Sequence, residues 1–181
     1  MRDIMSAKRS QAGFSLLETV FAILILSFGV LALAAVYGQG MMRMNTAQYD
    51  YIAQQKAAEA IETIFTARDT KVLTWDQIRN VGGSGGGVFL VGPQPLLDPG
   101  PDGLVGTADD DPTEPDAIIK PGPSGIMGTA QDVKVPLTFM TRQIAIQDIA
   151  PNLRQITVTI QYKVTSISRT VTVISYISSF A

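Results

Sequence analysis

Neither cysteine nor histidine occurs in the 181 residues. Without cysteine there is no disulfide framework and no thiolate metal site. Without histidine the usual general base, the commonest catalytic triad and most zinc sites are excluded. Carboxylate or Ser-Lys chemistry would remain for an enzyme, but no motif in the chain points to either. Proline is absent before Pro93, so nothing in the first half of the chain forbids a very long helix. Charge is missing from a further stretch. Between Val20 and Val36 no residue is charged, and Ser27 carries the only polar side chain.

The net charge of −2 conceals a contrast. Residues 1–13 hold Arg2, Lys8 and Arg9 against Asp3, a charge of +2, which leaves −4 for the remainder. An acidic remainder gives no indication of nucleic-acid contact. Basic residues ahead of an apolar segment hold that end in the cytoplasm and send the rest outward.

Hydropathy patterning divides the chain. The run 14–37 is long enough, at about 36 Å for a helix, to cross a hydrocarbon core of ~30 Å. The pattern then turns amphipathic without a break. Met44, Ala47, Tyr51, Ala58, Ile61 and Phe65 step by three, four or seven, which predicts a helical stripe. One helix is therefore expected over 14–66, spanning a membrane at 14–37 and amphipathic over 38–66. Gly29, Gly38 and Gly40 mark places where it could bend. Residues 67–91 are expected to form a short helix, opened by the capping box Thr74-Trp75-Asp76-Gln77, and a connection rich in glycine (82–87). Val88–Val91 reads as a short strand. Nine prolines among residues 92–136 predict a Pro/Gly/Asp-rich loop. Residues 137–181 read as an antiparallel sheet. A strand at 137–149 turns at Ala150-Pro151-Asn152. Ile156, Val158, Ile160, Tyr162 and Val164 then share one face, and after a turn at Thr165–Ser168 so do Val171, Val173 and Ile177. The fold class expected is α+β, the amphipathic half of the helix covering the sheet.

The junction Lys8-Arg9-Ser10-Gln11-Ala12-Gly13-Phe14-Ser15-Leu16-Leu17-Glu18 carries the strongest functional signal. A carboxylate within an apolar membrane segment costs about 2.5–3.5 kcal/mol at its centre and less near its end. Such a charge is a functional hypothesis that needs a partner. A secretory signal peptide explains the basic start, and Ala32-Leu33-Ala34 offers an A-x-A cleavage site. It does not explain Glu18 or the length of the apolar run. A plain membrane anchor explains the length alone.

With Gly13, Phe14, Leu16, Leu17, Glu18 and the apolar helix behind them, the chain resembles the prepilins of type IV pili and the pseudopilins of type II secretion. Phe21 to Ala34 and the segment Ala53-Gln54-Gln55-Lys56-Ala57-Ala58-Glu59 are similar to the PilV-type minor pilins and to the minor pseudopilin GspI. So is the ending, Asn152 to Ile160 and Arg169 to Val173. The acidic middle is not matched. The resemblance implies a pilin-like fold, with a leader (1–13) cut between Gly13 and Phe14 by a prepilin peptidase and N-methylation of Phe14. It implies an assembly salt bridge between Glu18 of one subunit and the Phe14 ammonium of a neighbour, which fixes axial register. It also implies insertion in the inner membrane among membrane lipid, partners that are other pilins or pseudopilins, and an inner-membrane assembly platform. The final place would be a pilus at the cell surface or a periplasmic pseudopilus, and the subunit would turn over no substrate.

A calcium loop is a separate expectation. Laid on the twelve-residue EF-hand loop, Asp98 takes position one, Asp102 five, Gly103 the turn at six, the Leu104 carbonyl seven and Asp109 twelve. Asp110 adds a further candidate ligand. Gly100 stands where a third acidic residue is usual. The alternative is a solvated acidic turn, since Asp and Gly are turn residues. Two rival functions remain at this level, a secreted β-rich binding module freed near Ala35 and a membrane-anchored enzyme built on the acidic cluster.

Overall fold

The computed structural model describes residues 13–83, 86–164 and 167–180. The leader up to Ala12, Ser84-Gly85 of the glycine-rich connection and Thr165-Ser166 of the last turn lie outside the described residues. The chain divides into two compact units, Met1–Asn45 and Thr46–Ala181. Helix α1 (Leu16–Asp69) contributes to both.

In the first unit every described residue from Gly13 to Met41 is exposed. The helix passes unbroken through Gly29, Gly38 and Gly40, where the sequence offered bends. Leu16–Met41 is long and apolar enough to cross a membrane. Its two aliphatic hydroxyls, those of Thr19 and Ser27, close on the helix itself. Thr19 Oγ1 donates to the Leu16 carbonyl (2.8 Å) and Ser27 Oγ to that of Ile23 (2.7 Å). No polar side chain is then left bare in the apolar stretch between them.

The second unit is built around a four-stranded antiparallel sheet. Its strands are β1 (Gln94–Pro95), β4 (Met140–Ala150), β5 (Leu153–Val164) and β6 (Ile167–Ser178), in the order β1-β4-β5-β6. A separate pair, β2 (Ala117–Lys120) and β3 (Val133–Pro136), lies within the Pro/Gly-rich segment. That segment is thus not one continuous loop. β5 alternates cleanly, burying Ile156, Val158, Ile160 and Tyr162 while the residues between them stay partly exposed. The register Ile144↔Val158↔Val173 carries that face across three strands.

The helical stripe that packs into this core differs from the expected one. Ala53, Ala57, Ala60, Ile64 and Ala67 are buried, stepping by four and three. Met44 and Tyr51 are 75% and 60% exposed, and Ala47 and Ala58 are exposed as well. Ile61 and Phe65 flank the core half-buried. Large apolar residues dominate a hydropathy pattern, but alanine lets a helix backbone come closer to a sheet. Dispersion contacts per unit length gain from that closeness.

Three other expectations shift. The short helix is a single 3₁₀ turn, Trp75–Gln77, where Gln77 Oε1 accepts from the Thr74 N–H (2.8 Å) and hydroxyl (3.0 Å). Val88–Val91 supplies only an isolated bridge at Phe89. The strand expected from 137 begins at Met140, because the Met140 N–H donates back to the Leu137 carbonyl (3.0 Å) and turns the chain.

Polar side chains then tie the loops to the sheet. Arg154 is fully buried; Nε donates to Asp148 Oδ1 (2.6 Å) and Nη1 to the carbonyls of Trp75 and Ile78. Its guanidinium stacks 3.9 Å from the Trp75 ring centroid, a cation–π contact strengthened by desolvation. Asn80 serves the β4 edge as a strand would, accepting from the Ile146 N–H (2.8 Å) and donating to the Ile144 carbonyl (2.8 Å). On α1, Lys56 holds Asp116 and Glu59, both at 2.8 Å. Burial works against the Lys56 charge, yet those two carboxylates outweigh it and raise the pKa.

Two substitutions test this packing. Ala57→Leu should overfill the helix–sheet contact and destabilise the domain by about 1–3 kcal/mol, read from thermal unfolding by circular dichroism. Lys71 ends α1 at φ +60°, a conformation that costs a residue with a Cβ. Lys71→Gly should therefore raise stability by roughly 0.5–1 kcal/mol in the same measurement.

Candidate functional site

Gly13, Phe14 and Ser15 precede the first residue of α1. Ser15 caps the helix, its Oγ accepting from the Glu18 N–H at 3.2 Å. Its carbonyl accepts from the N–H groups of Glu18 (3.1 Å) and Thr19 (3.2 Å). The cap satisfies donors that the first helical turn leaves open. Sequence reasoning passes over Ser15, although Ser15-Leu16-Leu17-Glu18 has the spacing of a capping box. Glu18 sits in the first turn, where the helix dipole favours a negative charge. Among the described residues its exposed carboxylate has no hydrogen-bond or ion-pair partner.

Gly13 raises a separate point. A Cβ built there would meet nothing within 4 Å among the described residues. No close packing asks for glycine at this position. Phe14 is 81% exposed beside it. A residue pattern that the fold does not use is available to be read by another molecule.

The acidic segment folds on itself. Asp102 Oδ1 accepts from the Leu104 N–H (2.8 Å), and the Asp102 N–H donates to Asp109 Oδ2 (3.4 Å). Buried Thr107 donates its hydroxyl towards Asp109 (2.8 Å) and Asp110 (3.1 Å), and Asp110 also accepts from the Gly106 N–H (2.7 Å). The Thr107 hydroxyl holds the Asp109 carboxyl below the usual carboxylate range. Burial pushes that of Asp110 up, against the bonds from Gly106 and Thr107 and the field of buried Arg142.

Thr107 thus brings Asp109 and Asp110 together, the Asp102 N–H joins Asp109, and Asp98 stands apart. Its carboxylate faces Lys134 Nζ at 3.5 Å, and Glu114 shares the same lysine at 3.4 Å. Leu104 is buried as a core side chain. The geometry also accounts for Gly100, where a Cβ would lie 2.2 Å from the Asp109 carbonyl oxygen. Position three of the supposed calcium loop therefore has no room for any ligand side chain. At Gly106, φ is +80° and a Cβ would approach Ile144 Cδ1 to 2.9 Å, which presses the loop against β4. Among the described residues no three acidic side chains converge as a metal site. The pairing of Asp98 with Lys134 and the closed space at Gly100 depart from the EF-hand arrangement. The carboxylates are instead engaged by N–H, hydroxyl and ammonium donors of the chain itself.

A family model described as the prokaryotic N-terminal methylation motif matches residues 8–34. It covers Gly13, Phe14, Ser15 and Glu18. No curated protein and no solved structure matches the chain. The motif supports a type IV pilin-like protein, and with the apolar helix it is consistent with membrane anchoring.

Thr107 is the hinge of the acidic loop. Thr107→Val should leave Asp109 and Asp110 without their shared donor and destabilise the loop by about 1–3 kcal/mol. Limited proteolysis within 98–111 should then run several-fold faster than in the wild type, whereas an unchanged cleavage rate would show that Thr107 does not hold this segment.

Proposed function

We propose that this chain is a minor pilin or pseudopilin, a structural subunit that helps assemble or initiate a type IV pilus or a type II secretion pseudopilus. One observation carries the reading. An exposed apolar helix of membrane-spanning length carries an unpartnered carboxylate in its first turn, and it starts three residues after a glycine that the fold does not need. The methylation motif over 8–34 supports the same reading.

A prepilin peptidase on the cytoplasmic side cuts between Gly13 and Phe14 and methylates the new amino group. The apolar helix stays on the product in the inner membrane, with its first residues towards the cytoplasm. In lipid, Glu18 is costly alone. In an assembly, the Phe14 ammonium of a neighbouring subunit neutralises it. The pair need not add much stability, because desolvation offsets most of the attraction. Its effect is on register, since any other axial offset leaves two charges unpaired in a medium of low dielectric. The partners are other pilins or pseudopilins, the peptidase and the inner-membrane assembly platform. The role is structural rather than catalytic.

The experiment is mass spectrometry of the N-terminal peptide from membrane and sheared-filament fractions of native cells. A peptide beginning at N-methylated Phe14 is expected. A product beginning near Ala35 would mean a secreted domain and sink the proposal, and an uncut Met1 would mean a plain anchor. Glu18→Ala should leave the thermal unfolding of the second unit unchanged. The same substitution should deplete the chain from sheared filaments or abolish secretion. Full retention of both functions would remove the register pairing from the account.

A further inference from the structure

We infer that a groove on the second unit, between the end of α1, the 3₁₀ turn and the end of β6, binds a sugar acid, a pyranose ring that carries a carboxylate. The groove holds about 280 Å³, close to the lower end of ligand pockets. It is lined by Arg68, Lys71, Leu73, Thr74, Trp75 and Ser179. Two cations, two hydroxyls and an indole thus meet with no carboxylate among the lining residues.

Lys71 holds its place at a cost. Among the described residues it is the only one besides glycine with a positive φ, and an outlier of that kind is where function is to be sought. Its ammonium is not spent on capping α1. The carbonyls of Thr66, Ala67 and Arg68 already accept from the N–H groups of Thr70 (2.9 Å), Leu73 (3.1 Å) and Lys71 (3.0 Å). The Lys71 side chain is exposed and has no hydrogen-bond or ion-pair partner among the described residues. Arg68 is committed, by contrast. It pairs with Asp69 (2.6 Å) and donates to the Ser178 carbonyl (3.0 Å). Lys71 therefore supplies the free charge of the groove.

Trp75 supplies the platform. Stacked against Arg154, its ring is held in place, yet it stays half-buried and lines the groove. The indole Nε1–H and the Ser179 hydroxyl have no hydrogen-bond partner among the described residues. Thr74 Oγ1 donates to Gln77 Oε1 (3.0 Å) and keeps lone pairs with which to accept. A fixed aromatic ring suits the apolar C–H face of a pyranose, the unspent donors and acceptors suit its hydroxyls, and the ammonium suits its carboxylate. A small inorganic anion would leave the indole unused. A neutral sugar would leave Lys71 without a counter-charge. The groove belongs to the second unit alone, so its occupancy does not depend on how the first unit is processed.

Trp75 is the single tryptophan of the chain, so its fluorescence reports the groove directly. The full chain, in micelles of a detergent that contains no sugar, is titrated with galacturonate, its linear trimer, its uncharged methyl ester and polyglutamate. Galacturonate and the trimer are expected to give a saturable change in emission, half-complete at or below about 1 mM. The ester and polyglutamate should bind at least about tenfold more weakly. Lys71→Gly should weaken galacturonate binding by about tenfold or more while raising the thermal unfolding midpoint, and Lys71→Arg should retain binding. A loss of binding in a more stable protein cannot come from unfolding. Tighter binding of the trimer than of the monomer would assign the source to an acidic polysaccharide, and equal binding to a free sugar acid. The absence of a saturable change with both overturns the site. So does an equal response to the ester, which removes the carboxylate from the account, or to polyglutamate, which would mean an acidic peptide. Unweakened binding by the Lys71→Gly chain overturns it as well.

Discussion

The burial of one face of α1 in the same core as the apolar face of β5 is the constraint on which the second unit depends. Four of the five side chains in the contact stripe are alanine, and all five are buried. Alanine fills these positions with little volume, and the stripe shares one buried cluster with the apolar face of β5. Each of Ile156, Val158 and Ile160 is fully buried beneath it. Interiors packed at that density transmit small changes in volume, which makes the stripe intolerant of added methylenes. It also dictates where polar groups can go. Lys56 lies beside the stripe on the half-buried flank of the helix, where it meets Asp116 of the loop that precedes β2.

Around that contact the irregular segments are secured by polar side chains rather than by further secondary structure. Arg154 binds the 3₁₀ turn to the sheet through two carbonyls and a stacked indole, and Asn80 occupies the edge of β4. The acidic loop is organised in the same manner around Thr107. These loops also bury Phe89, Leu96, Leu104, Val105 and Leu137 in the core, so apolar burial and hydrogen bonds order them together. The result is a cysteine-free domain whose loops are fastened without disulfides.

The first unit poses the opposite physical situation. Among its described residues, Leu16–Met41 is largely apolar and exposed, and the Thr19 and Ser27 hydroxyls turn onto their own helix. Such a surface requires another apolar medium, either lipid or neighbouring helices. Glu18 restricts the choice further, because lipid alone offers it no counter-charge. A neighbouring subunit with a cationic terminus satisfies both demands at once.

Much of this is legible in the residues. The apolar run, the single carboxylate at Glu18 and the glycine before Phe14 are local features, and hydropathy and spacing expose them directly. The alternation on β5 is equally plain, because period two with β-branched residues fits little besides a strand. The helical stripe misleads, since hydropathy ranks Tyr51 and Met44 above the alanines that make the contact. The acidic loop misleads for a related reason. Asp and Gly at given spacings suit a cation cradle and a self-bonded turn alike. The choice turns on the closeness of Gly100 to the Asp109 carbonyl, which no one-dimensional pattern contains. Sequence by itself determined the helix, the alternating strands and the junction, because each depends on near neighbours along the chain. The tertiary structure alone decided which helix face is buried, where Arg154 and Asn80 find their partners and how Asp98 meets Lys134, because those outcomes depend on distances between segments far apart in sequence.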